Sequence, residues 1–152
     1  MSTPNPVPAR QILLQKIFLK DASMEVPLAP QVFTRPWQPQ VDVQMGTAIQ
    51  ALSAEQHQVV LTITITAKLD EEVAFLAEVH QAGLFMVKGI PEAAERHKAL
   101  GIECPTALFP FAREAVAELI QRAGFPQLLL QPVNFEQLYR EHVARQDATK
   151  PH

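Results

Sequence analysis

The stretch VVLTITITAKLDEEVAFLAEV, residues 59–79, alternates apolar and polar side chains on either side of one acidic turn. Val59, Leu61, Ile63, Ile65, Ala67 and Leu69 share one parity; Val60, Thr62, Thr64, Thr66 and Lys68 share the other. Successive side chains of a strand point to opposite faces, so this pattern predicts a strand with one apolar and one largely hydroxyl-bearing face. Asp70-Glu71-Glu72 makes the turn. The next strand runs from Val73 to about Val87, with Phe75, Ala77 and Val79 on one face and Leu76, Glu78 and His80 on the other. Such a sheet covers its core on one side and shows the other to solvent or to a partner.

Working outward, Val41, Val43, Met45, Thr47, Ile49 and Ala51 alternate with more polar or smaller residues and predict another strand. Residues 12–21 predict a further one. Between these two, residues 26–39 hold Pro27, Pro30, Pro36 and Pro39. Proline lacks the N–H that a ladder needs, so this segment is an ordered loop or crossover. Its Val32, Phe33 and Trp37 must rest on something.

Downstream the period changes. Pro91 suits a first helical turn and Gly101 a helix end, which predicts a short helix over 91–100. A longer helix is predicted over 106–123, with Leu108, Phe111, Ala112, Ala115, Leu119 and Ile120 on one side and Gly124 at its C′ position. Asn134 caps a last helix carrying Phe135, Leu138, Tyr139, His142 and Val143 along its stripe. Strands followed by helices mean an α+β fold, an antiparallel sheet with helices on one face. Residues 1–9 read as a disordered N-terminal tail, 10–143 as the domain and 144–152 as a flexible C-terminal tail.

The 152 residues suggest one domain, and 47% hydrophobic with 19% charged residues is a globular composition. A formal net charge of −3 and the lack of any Lys/Arg run argue against a nucleic-acid partner held through phosphates. No apolar leader opens the sequence, and no stretch approaches the roughly 18 apolar residues of a membrane span. The expectation is a soluble cytoplasmic protein with no membrane insertion.

Little in the sequence can carry a reaction. Cys104, the one cysteine, lies just upstream of a predicted helix start, but Pro105 follows it and no histidine is near in sequence. His57, His80, His97, His142 and His152 form no i, i+4 pair, and no phosphate-binding or hydrolase motif occurs. No catalytic residue, metal or cofactor is expected. What stands out is apolar surplus in loops. Phe33 and Trp37 lie in the proline-rich segment, Phe109 and Phe111 flank Pro110, and Leu128, Leu129 and Leu130 lie between Phe125 and Phe135. Such a surplus fits a binding groove or an oligomer interface, or a cap over the open end of the sheet.

Several stretches together resemble the SecB family of export chaperones: FLKDASMEVPLAPQVF (18–33), WQP (37–39), VVLTITITAKLDEEVAFLAEV (59–79), ECPTALFPFARE (103–114) and FPQLLLQPVNFEQLY (125–139). They occur in the family's order, and CPxxLFPxARE followed by FPQLxLxPVNF is a specific pair. The resemblance implies a four-stranded antiparallel sheet with helices on one face, assembled as a homotetramer, a dimer of dimers. It implies a cytoplasmic chaperone that binds unfolded preproteins and delivers them to the SecA ATPase, and that has no catalytic residue. Client binding would use Phe33, Trp37, Phe75, Phe111 and Phe135, with Leu128 and Leu130 nearby. Phe111 stands where tyrosine is frequent in the family. The zinc-bearing tail of SecA would dock on Asp21, Glu25, Leu76 and Glu78. Ala77, Val79 and Gln81 match positions tied to the oligomer interface. An alternative with the same fold is a SecB-like chaperone dedicated to an antitoxin.

Overall fold

β3 (Gln56–Leu69) and β4 (Glu72–Lys88) form the central hairpin, turning through Asp70, which adopts φ 54°. β1 (Gln11–Glu25) pairs with the outer side of β4 and β2 (Gln40–Ala51) with the outer side of β3, giving one antiparallel sheet in the order β1-β4-β3-β2. The computed structural model describes residues 9–149. Of the expected N-terminal tail, residues 1–8 lie outside the described residues.

The alternation of 59–69 comes out as read. Val59, Leu61, Ile63, Ile65, Ala67 and Leu69 are buried, and so are Phe75, Ala77, Val79, Phe85 and Val87 of β4. The threonine face of β3 is only half-buried. β1 is less regular. Its register against β4 shifts between Leu14 and Lys16 and again between Leu19 and Asp21. Each shift leaves one extra residue on β1, and an extra residue exchanges the two faces of a strand. Gln81 supports the second shift: its buried side-chain amide donates to the Phe18 carbonyl at 3.1 Å.

Since β1 and β2 are opposite edges, the chain between them must cross the sheet. The proline-rich segment does so at the end where β3 turns into β4, making a single 3-10 turn over Gln31–Thr34 that buries Val32. Arg35 fastens it there, 3.5 Å from Asp70 and 3.4 Å from Glu72.

The helical half corrects the sequence reading. One helix, α1 (Ala93–Arg122), runs through Gly101, Pro105 and Pro110 where two helices were expected. Leu100, Cys104, Leu108, Ala112, Val116 and Ile120 are buried at every fourth position along it, with Pro105, Phe109 and Ala117 beside them. Each interior proline costs about 3 kcal/mol. Burying one large apolar side chain recovers about 1.5–3 kcal/mol, and α1 buries Leu100, Leu108, Phe109, Val116 and Ile120 against the sheet. Packing therefore overrides the local breakers. The expected stripe was also rotated: Phe111 is 45% exposed, and Phe109 is buried in its place.

α1 ends as expected at Gly124, which takes φ 95°. The Phe125 N–H reaches Ile120 O at 3.2 Å and the Gly124 N–H reaches Gln121 O at 3.0 Å, the paired bonds of a Schellman motif. α2 (Phe135–Thr149) begins after Asn134, whose side-chain oxygen accepts from the Gln137 N–H at 3.0 Å. It continues through residues 144–149, which were expected in a tail; residues 150–152 lie outside the described residues. Gly101 is not a helix end. A Cβ there would lie 2.7 Å from two ring atoms of Tyr139, so its missing side chain lets α2 lie against α1.

Candidate binding surfaces

The aromatic residues form a graded cluster at the end of the sheet where the crossover segment lies. Phe75 of β4 is its floor, and Phe125 lies 4.9 Å from Phe75, ring centroid to centroid. Trp37 lies 4.8 Å from Phe125 and 6.1 Å from Phe75. Phe33 is outermost, 5.2 Å from Phe125. Pairs at these separations add about 0.5–1.5 kcal/mol each beyond area burial, so the cluster holds the crossover segment to the end of α1. Exposure rises outward: Phe75 2%, Phe125 6%, Trp37 half-buried, Phe33 50%. Phe33 also rests on Gly124, where a Cβ would come within 3.0 Å of its ring. One glycine thus provides both a backbone turn and room for an aromatic side chain.

The expected client residues divide into two sets. Phe33 and Phe111 are exposed, and Trp37 and Leu128 half-buried, so these offer surface. Phe75, Leu130 and Phe135 are at 2%, 6% and 5% exposure and belong to the core of this chain. Phe135 does not join the cluster above; it packs edge-on to Phe109 at 5.8 Å. Phe125 and Leu129 stand in the apolar surplus of the sequence but outside the expected client set. Phe125 follows the C′ glycine, a position that commonly turns an apolar side chain back onto its helix, and that signal was available. Among the described residues Leu129 is the most exposed large apolar one, at 62%. A cleft of about 360 Å³ opens between β2 and α2, lined by Met45, Ile49, His97, Phe135, Leu138 and Tyr139 among others.

The other face of the sheet is largely polar in its half nearer the β3–β4 turn. Register places Glu25, Leu76, Thr66 and Asp42 in one row across the four strands, and Ser23, Glu78, Thr64 and Gln44 in the next. Asp21, His80, Thr62 and Gly46 form a third. Asp21, Glu25, Leu76 and Glu78 therefore share one patch. Glu78 accepts from the Thr64 hydroxyl at 2.7 Å and lies 3.1 Å from His80 Nε2. The Thr64 hydrogen bond, then His80, holds its carboxyl below the usual carboxylate range. Ala77, Val79 and Gln81, expected at an interface between copies, are instead covered within this chain beneath α1, at 0%, 0% and 5% exposure. At these exposures their side chains offer almost no surface of their own.

Cys104 offers no nucleophile. It is fully buried, and burial followed by the Glu103 charge pushes its thiol up to about 12, so it stays protonated at neutral pH. Among the described residues no group of three His, Cys, Asp or Glu side chains could hold a metal ion, and no helix is long and apolar enough to cross a membrane.

An aromatic surface that grades into the core and a polar patch on the far side of the same sheet mark a protein built around binding surfaces. Comparison with known proteins gives the particular kind. The profile of the family described as preprotein translocase subunit SecB matches residues 6–146. The protein-export protein SecB of Methylococcus capsulatus is 46% identical over 143 residues, 94% of this chain and 92% of the relative. That of Hydrogenovibrio crunogenus is 45% identical over 142 residues, 93% of this chain and 95% of the relative. Among solved structures, a SecB-like chaperone of Mycobacterium tuberculosis in complex with a ChAD peptide from the HigA1 antitoxin superposes with a TM-score of 0.66. It is 23% identical and covers 82% of this chain and 88% of its own, a likeness of fold. The chain belongs to the SecB family. It is a protein-export chaperone and not an enzyme.

Proposed function

We propose that this chain works as a cytoplasmic homotetramer, a dimer of dimers, that holds unfolded preproteins on one surface and docks SecA on another. The client surface consists of Phe33, Trp37, Phe111 and Leu128, with Leu129 added, backed by the buried Phe75 and Leu130, while Phe135 contributes from beneath through Phe109. Unfolded chains vary in sequence, so the surface must bind by area and shape; rigid aromatic rings give large contact at little entropic cost. The neighbouring edge strand β2 has Val41 and Val43 exposed at 40% and 39%, and its unpaired backbone can add hydrogen bonds to an extended client. The docking surface is Asp21, Glu25, Leu76 and Glu78, whose carboxylates suit the basic zinc-bearing tail of SecA. Gln81 would influence assembly through β1, whose register shift it supports.

The observation that carries this reading is the separation of the two surfaces by the sheet, so that client and partner can be held together. Reversing one charge should then disturb one surface alone. Glu78→Lys is expected to weaken binding to the SecA C-terminal tail and leave suppression of client aggregation unchanged; Trp37→Ala with Phe111→Ala is expected to do the reverse. Equal loss of both activities in either variant would contradict the two-surface arrangement. The alternative, a chaperone dedicated to an antitoxin, draws support from the mycobacterial complex alone. The export-named relatives at 45–46% identity favour SecA delivery, and failure to bind the SecA tail would favour the antitoxin instead.

A further inference from the structure

The acidic patch contains one histidine, His80, set between a carboxylate and a hydroxyl. His80 stands directly opposite Asp21 in the β1–β4 register, and its Nε2 lies 3.1 Å from Glu78 Oε2. On its other side Nδ1 lies 3.2 Å from the Thr62 hydroxyl. In the neutral ring, Nε2–H donates to Glu78 and Nδ1 accepts from Thr62. In the imidazolium, Nδ1–H donates and the hydroxyl rotates to accept. Both states therefore fit one geometry, and protonation changes the charge of the patch without dismantling it.

The surroundings reinforce this. Asp21, Ser23 and Glu25 of β1 and Thr62 and Thr64 of β3 flank the ring and its partner Glu78, while α1 covers the opposite face of the sheet. The row through His80 ends at Gly46 of β2, which borders the cleft that His142, Glu141 and Arg145 of α2 also line. The cations of the same face are placed elsewhere: Lys20 donates to Gln58 at 3.1 Å, Lys16 stands opposite Leu84, Lys68 lies near the β3–β4 turn, and Lys88 at the far end of β4 lies 3.6 Å from Glu55.

We propose that His80 tunes the docking face by proton uptake: charged, it offsets one of the carboxylates that a basic partner segment reads, so docking weakens as pH falls. This rests on the reading of Asp21, Glu25, Leu76 and Glu78 as the SecA surface. Histidine side chains change charge between about pH 5 and 8. Glu78, held below the usual carboxylate range by Thr64 and then His80, stays ionised through that window.

The test uses the intact chaperone and a synthetic zinc-loaded peptide of the SecA C-terminal tail, with affinity measured at about pH 8 and about pH 6. Wild type should lose about threefold more affinity than His80→Gln on acidification, the size of one exposed ion pair. His80→Lys should bind weakly at both pH values. Any response of the peptide's own zinc site moves all three proteins alike and cancels in the comparison. Equal pH dependence in wild type and His80→Gln would overturn the role of His80 and leave the docking surface standing. No peptide binding by wild type at pH 8 would overturn the docking surface itself.

Discussion

Gly101 shows how one residue can be misread from its type. Within a helix, replacing glycine by alanine ordinarily gains up to about 1 kcal/mol, because the unfolded chain loses freedom. Here the added methyl would lie 2.7 Å from the Tyr139 ring, whose hydroxyl is tied to His97 Nδ1 at 2.8 Å. Real contacts do not come that close, so α2 must move. Gly101→Ala is expected to speed amide hydrogen exchange over residues 135–147 and leave α1 protected. A higher Tm with α2 protection intact would show that the close approach is not what glycine provides. The leucines 128–130 give a second lesson at this scale. Their sequence says only that they cannot all face one way; packing makes Leu130 core and leaves Leu129 in solvent.

At the scale of elements, α1 is decided by a competition of magnitudes. Its breakers are local and legible, and so is the spacing of Leu100, Cys104, Leu108, Ala112, Val116 and Ile120. The breakers act within a single turn, whereas the long spacing counts only once a sheet is there to bury it. Phe111 and Leu108 now separate two roles within one helix. Leu108→Ala removes a fully buried side chain and is expected to cost about 2–5 kcal/mol in urea unfolding. Phe111→Ala, at an exposed position, is expected to change stability by no more than about 0.5 kcal/mol while lowering client holding. Comparable losses of stability from the two would mean that the ring at 111 packs within the protein. β1 carries the other element-scale decision. Before its second register shift Lys16 and Phe18 share the outer face with Leu84 and Ala82; after it, Asp21, Ser23 and Glu25 do. Without the extra residue, Asp21 and Glu25 would face the helix side.

At the scale of the whole molecule, the sheet is wider than its helical cover. β1 exposes Leu13, Leu14 and Leu19, and β2 exposes Val41 and Val43, all at 39–50%. Open edges with apolar side chains favour association with further chains. Light scattering or sedimentation across a concentration series is expected to give four times the 16.9 kDa chain mass. A single-chain mass at micromolar concentration would overturn the tetramer. The same experiment on Gln81→Ala is expected to show dissociation at lower dilution, since the β1 register loses its side-chain support.

The sequence by itself determined what depends on near neighbours along the chain. Strand alternation over 59–79, the proline-rich crossover, the C′ glycine at 124 and the cap at Asn134 all follow from φ/ψ preference and a period of a few residues. The family's motifs could be read in the same way. Tertiary structure alone decided which surfaces meet. It drew α1 through two prolines, because a continuous apolar stripe had a sheet to bury against. It turned Phe109 inward and Phe111 outward. It set the register shift that brings Asp21 and Glu25 beside Glu78 and His80, because pairing between β1 and β4 depends on residues more than fifty positions apart.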